Sequence, residues 1–106
     1  MVKAKYTVED NIHTLEVSGH ANYAEYGKDI VCAGVSSIVQ ALIAWIEENY
    51  YKANCISVSP KEGEVIISCE GKEDLAAVFH MASIGLGQIA DSYPDHVQIN
   101  IIGLAD

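Results

Sequence analysis

Ile30-Val31-Cys32-Ala33-Gly34-Val35-Ser36-Ser37-Ile38-Val39-Gln40-Ala41-Leu42-Ile43-Ala44-Trp45-Ile46 places Val35, Ile38, Val39, Leu42 and Ile46 three or four residues apart. That spacing makes one apolar stripe on a 3.6-residue repeat, so the segment reads as a buried helix running from Ile30 to about Tyr51. The stretch before it has period two instead. Val2, Ala4, Tyr6 and Val8 alternate with polar neighbours, Glu9-Asp10-Asn11 marks a turn, and Leu15 and Val17 resume the alternation up to Gly19, which predicts an antiparallel hairpin. After the helix, Ile56 and Val58 alternate with Ser57 and Ser59, Pro60-Lys61-Glu62-Gly63 breaks the chain, and Val65, Ile67 and Cys69 continue as the second arm of a hairpin with a four-residue loop. Leu75, Val78, Phe79, Ala82, Leu86 and Ile89 then return to helical spacing behind the acidic first turn Glu73-Asp74, and Tyr93-Pro94 stops that helix. Val97, Ile99 and Ile101 make a last strand. The order ββαββαβ predicts an α+β fold with two helices packed on a mixed or antiparallel sheet. A length of 106 residues fits a single domain spanning 1–106.

Composition narrows the function classes. Half the residues are hydrophobic, yet no apolar run of the roughly 18 to 20 residues needed to cross a bilayer is expected. Met1-Val2-Lys3-Ala4-Lys5-Tyr6 lacks the apolar stretch of a signal peptide, so a cytoplasmic protein without a membrane anchor is expected. Three cysteines, Cys32, Cys55 and Cys69, in a chain without an export signal predict free thiols. Cys55 and Cys69 bracket the second hairpin: a three-residue loop would set them face to face, able to cross-link or to join Cys32 in a metal site, whereas the four-residue loop that best aligns the two arms sends them to opposite faces. No CxxC or HxxxH spacing points to a metal site, and no cofactor is predicted. His13, His80 and His96 are scattered over separate elements and read as surface or internally satisfied residues. The net charge of -9 opposes direct nucleic-acid binding and suits a basic protein or peptide partner.

The chemistry concentrates between residues 19 and 36. His20 ends a predicted strand and Cys32 begins a predicted helix, so the two form a candidate thiolate–imidazole pair. If Asp29 caps the helix, Cys32 occupies its third position, where unpaired N–H groups and the positive end of the macrodipole favour an anion. The N–H groups around Cys32 and Ala33 are then candidates for binding the oxyanion of a tetrahedral intermediate. Each residue also has a structural reading. Cys32 suits a small buried hydrophobe, His20 a strand-end residue, Asp29 a plain cap, and Gly19 and Gly27 turn positions. Ser36, on the face of Cys32, either bonds near the thiol or bonds its own helix backbone.

Ser18-Gly19-His20-Ala21, a loop with Tyr23 and Gly27, and Asp29-Ile30-Val31-Cys32-Ala33-Gly34-Val35-Ser36 together resemble the signature of the bacterial ribosomal-processing cysteine proteases. Length, element order and acidic character are also similar. The resemblance implies a homodimeric endopeptidase whose partner is the precursor of large-subunit ribosomal protein twenty-seven, from which it removes an N-terminal extension. It also implies Cys32 as nucleophile, His20 as base, and Gly19, Asp29 and Ser36 as associated residues. Gly34 departs from the family, where alanine is commoner. Residues Ala21 to Lys28 would form a loop over the cleft, mobile by virtue of its Ala, Asn and Gly. The alternative class is a non-catalytic ribosome-associated or peptide-binding module. A thiol redox protein is disfavoured, because Cys32 has no resolving cysteine close in sequence.

Overall fold

The computed structural model describes residues 1–25, 27–50, 56–57 and 63–102, with backbone only for 56–57. The elements are β1 (Val2–Glu9), β2 (Ile12–Ser18), α1 (Ile30–Asn49), β3 (Ile56–Ser57), β4 (Glu64–Glu70), α2 (Glu73–Ser92) and β5 (Val97–Ile102). They form one sheet in the order β3-β4-β2-β1-β5. Pairing is antiparallel except between β1 and β5, so the sheet is mixed, with four full strands and a two-residue edge strand. The β1–β2 turn is tight because Asp10 and Asn11 both adopt positive φ, 51° and 64°, leaving Glu9 paired with Ile12. Asp and Asn tolerate that left-handed backbone better than other side-chain-bearing residues.

The alternation predicted for the strands settles which sheet face is covered. Val2, Ala4 and Tyr6 of β1, His13, Leu15 and Val17 of β2, Ile67 and Cys69 of β4, and Val97 of β5 are buried. Lys3, Lys5, Glu16 and Ser18 on the opposite face are exposed. Tyr6 pairs with Leu15 and Leu15 with Ile67, all fully buried, giving a continuous row across the middle of the sheet. Both helices lie over this row. Val31, Val35, Val39, Leu42 and Ile46 of α1 are buried with Leu75, Phe79, Ala82 and Leu86 of α2. Each fully buried Leu, Ile or Phe in such a layer contributes about 1.5–3 kcal/mol relative to exposure.

Three sequence expectations need correction or fall outside the described residues. By length and composition α1 is long and apolar enough to cross a membrane, contrary to the reading that no such run exists. Its apolar stripe instead packs into the core, which is why helical periodicity rather than a uniform apolar run shows in its sequence. Cys69, expected as a free thiol, is disulfide-bonded. Cys55, Tyr51 and residues 58–62 of the predicted second hairpin lie outside the described residues.

Candidate active site

Gly19 follows β2 at φ +90°, and a Cβ there would collide with the carbonyl oxygen of Met1. Glycine is therefore required both by backbone conformation and by the close approach of the N-terminal strand. The Gly19 N–H donates to the carbonyl of Gly63 at 2.8 Å, tying the end of β2 to the residue before β4. His20 follows, exposed, with its ring against Gly63: a Cβ on Gly63 would meet Nε2 at 2.9 Å. The imidazole is thus shelved on a backbone position that has no side chain.

Asp29 caps α1, as its residue type predicts. Its Oδ1 accepts the Cys32 amide at 2.9 Å, and its Oδ2 accepts the amides of Tyr23 at 3.0 Å and Ala24 at 3.5 Å. These bonds, that from Cys32 foremost, hold the carboxyl below the usual carboxylate range despite its partial desolvation. Asp29 does not bond His20. It joins the loop to the helix as its N-cap. The loop described up to Glu25 is tied more closely than its small residues suggest. Ala21 is buried and the Lys28 amide returns to the Glu25 carbonyl at 3.0 Å.

Cys32 is half-buried and free, with its Sγ accepting the Ala21 amide at 3.4 Å. The amides expected to form an oxyanion hole are already engaged, that of Cys32 by Asp29 Oδ1 and that of Ala33 by the Asp29 carbonyl at 3.0 Å. Capping consumes what the bare helix terminus would have offered. Ala33 is exposed on the rim.

Two cavities meet at Cys32. One, about 400 Å³, is walled by Val2, Val17, Val35, Val39, Ile43 and Val65, with Gln40 and Glu64 as polar rim. The other, about 490 Å³, lies under the loop and is lined by Asn22, Ala24, Gly27, Asp29 and Ala33. His20, Cys32 and Ser36 border both. The structure therefore brings the predicted nucleophile, base and serine to one junction, although no hydrogen bond joins His20 to Cys32 among the described residues. Val39, Gln40 and Ile43 were missed as site residues, yet they lie seven, eight and eleven positions after Cys32, on its face of the helix, and that projection would have found them. Gly63 carried no sequence signal, since only the β2–β4 pairing sets it beside His20. Among the described residues no group of three or more His, Cys, Asp or Glu is placed to hold a metal ion.

Residues 1–98 match the family model of cysteine protease Prp. The ribosomal processing cysteine protease Prp of Mycoplasma genitalium is 36% identical over 86 residues, covering 81% of this chain and 85% of that protein. The Mycoplasma pneumoniae protein of the same name is 33% identical over 90 residues, covering 80% and 83%. In fold, the chain superimposes on the S. aureus ribosomal processing protease Prp solved in complex with a covalently linked product peptide, with a TM-score of 0.83, 24% identity and coverage of 95% of this chain and 99% of that one.

Proposed function

The chain belongs to the cysteine protease Prp family and is a cysteine-type peptidase, and from that premise we propose that it removes the N-terminal extension of the precursor of large-subunit ribosomal protein twenty-seven, with Cys32 as nucleophile and His20 as base. The observation that carries the reading is the meeting of two cavities at Cys32 with His20 on both of their walls. A scissile peptide laid through the junction reaches sulfur and imidazole together, while the apolar cavity accepts a hydrophobic side chain next to the cleaved bond.

The steps follow from these groups. The exposed His20 ring, held by no hydrogen bond among the described residues, rotates off Gly63 to take the Cys32 proton. The thiolate attacks the peptide carbonyl, the imidazolium returns the proton to the departing amine, and the acyl-enzyme remains. Water, activated by neutral His20, then releases the N-terminal fragment and restores the thiol. Ser36, one turn beyond Cys32 and lining both cavities, is a polar contact for the substrate backbone. The same reading includes a homodimer, for which the exposed Met81 and Ile84 on α2 supply apolar surface.

Incubating the parent protein and Cys32→Ala with the extended precursor, and reading products by intact mass, tests the proposal. Trimming at one site by the parent and none by the variant is the expected result. Binding without trimming by either would leave a peptide-binding module.

A further inference from the structure

We infer that His96, half-buried in the turn between α2 and β5, is a positioning residue for the reaction and acts through Ala21. The inference rests on the proposed Cys32–His20 chemistry and adds a residue that no motif in the chain marks. His96 Nδ1 lies 2.8 Å from the Ala21 carbonyl oxygen. A carbonyl only accepts, so Nδ1 carries the proton and donates it. The amide of the same Ala21 donates to Cys32 Sγ at 3.4 Å. Ala21 is thus held from one side by His96 while it presents its N–H to the reacting sulfur on the other.

The turn that carries His96 is itself fixed. The His96 amide donates to the Tyr93 carbonyl and its own carbonyl accepts from Val2, both at 2.9 Å. The Tyr23 ring stands edge-on to Tyr93 and to His96, with centroids 5.3 and 5.4 Å apart, and so packs the loop against this turn. Asn22, between the two held residues, has a φ of 54°, a left-handed backbone that persists where its neighbours are fixed. The end of α2, the start of β1 and the loop after His20 therefore converge on one backbone unit.

That unit matters because Asp29 has engaged the amides of Cys32 and Ala33. The Ala21 amide is the backbone donor aimed at sulfur. It stabilises negative charge on the thiolate, and the oxyanion forms on the carbon to which sulfur bonds, within a short displacement of the same N–H. His96 holds the Ala21–Asn22 peptide and, through the Ala21 Cα, steadies the preceding His20–Ala21 peptide whose N–H faces sulfur; without His96 that N–H is no longer fixed at the place where charge develops.

Three variants test this. His96→Leu removes the donor, His96→Asn returns an amide nitrogen near the place of Nδ1, and His96→Gln keeps a polar side chain but carries its amide farther out. We measure kcat and KM on the extended precursor, the rate of Cys32 alkylation by iodoacetamide at neutral pH, and the melting temperature. Loss of one hydrogen bond that acts on developing charge should lower kcat about tenfold in His96→Leu and His96→Gln, with KM within about twofold of the parent. Cys32 alkylation should slow in parallel, and His96→Asn should recover both rates to within about threefold. Folded His96→Leu or His96→Gln with parental kcat and parental alkylation overturns the inference, as does loss that only tracks the melted fraction and is not recovered by asparagine. If the parent leaves the precursor intact while the variants still slow alkylation, the peptidase substrate is wrong and the positioning of Cys32 stands.

Discussion

Tyr6 and His13 form a buried pair whose titration reports on the core. The Tyr6 hydroxyl and His13 Nδ1 share a hydrogen bond of 2.7 Å, and both rings stack with Phe79. Burial holds the His13 imidazole below its ordinary 6.5 and pushes the Tyr6 phenol up to about 12. Both shifts favour the neutral forms in the folded chain. For His13 the folded value is depressed, so its contribution is complete above about 6.5 and is lost as pH falls toward the folded value. For Tyr6 the folded value is raised, so its contribution is complete below about 10 and is lost as pH climbs toward about 12. Denaturant unfolding across pH should therefore show stability falling on both sides of this plateau. In Tyr6→Phe/His13→Phe, both flanks should flatten at little cost near neutrality, because removing both partners leaves no orphaned buried group; steep flanks in the double variant would place the titration elsewhere. At the same scale, Cys32, His20, Gly19 and Asp29 were legible in the sequence because each belongs to one local segment. Two facts were not. The Cys32 and Ala33 amides already donate within the structure, to the Asp29 side chain and carbonyl, and His96 bonds a residue 75 positions away.

Period-2 and period-3.6 spacing carried both helices, the first hairpin and β4 to within a residue or two, since each depends on a face being buried against the rest of the chain. The parallel pairing of β1 with β5 and the contact of β2 with β4 link distant segments, and nothing local in either strand specifies the partner. Helix-to-helix packing was equally hidden. Gly34 of α1 faces Ile89, where an added Cβ would lie 3.3 Å from Cδ1, and Gly85 of α2 faces Ile38, where it would lie 2.9 Å from Cδ1. Both glycines thus sit where the two helices approach closely. Gly87, two residues after Gly85, meets nothing within 4 Å. Glycine inside a helix costs about 0.5–1 kcal/mol relative to alanine. Gly87→Ala should recover that and raise the melting temperature by about 2–6 °C. Gly85→Ala gains the same propensity but must displace Ile38, so it should melt lower than Gly87→Ala. Equal melting temperatures would show that the helices part without cost and that small residues at the crossing are incidental.

Over the whole molecule the excess of acid is the property felt at the greatest distance, because a net charge of -9 sits on only 106 residues, with Glu64 on the rim of the apolar cavity and Asp29 lining the other. Such a field draws a basic chain toward the cleft but adds little once the scissile bond is seated, where apolar and hydrogen-bonding contacts decide the fit. The two contributions separate by ionic strength. The screening length falls from about 30 Å at 0.01 M to about 3 Å at 1 M, so long-range attraction disappears over that range while contacts within the cavities persist. With a lysine-rich extended precursor, kcat/KM should drop by about tenfold or more across it and kcat should hold nearly constant. A short uncharged peptide spanning the same cleavage site should show a nearly flat kcat/KM, since it never felt the field. If both substrates lose kcat/KM equally, salt is acting on the enzyme itself, and the acidic surface has no part in choosing a basic substrate.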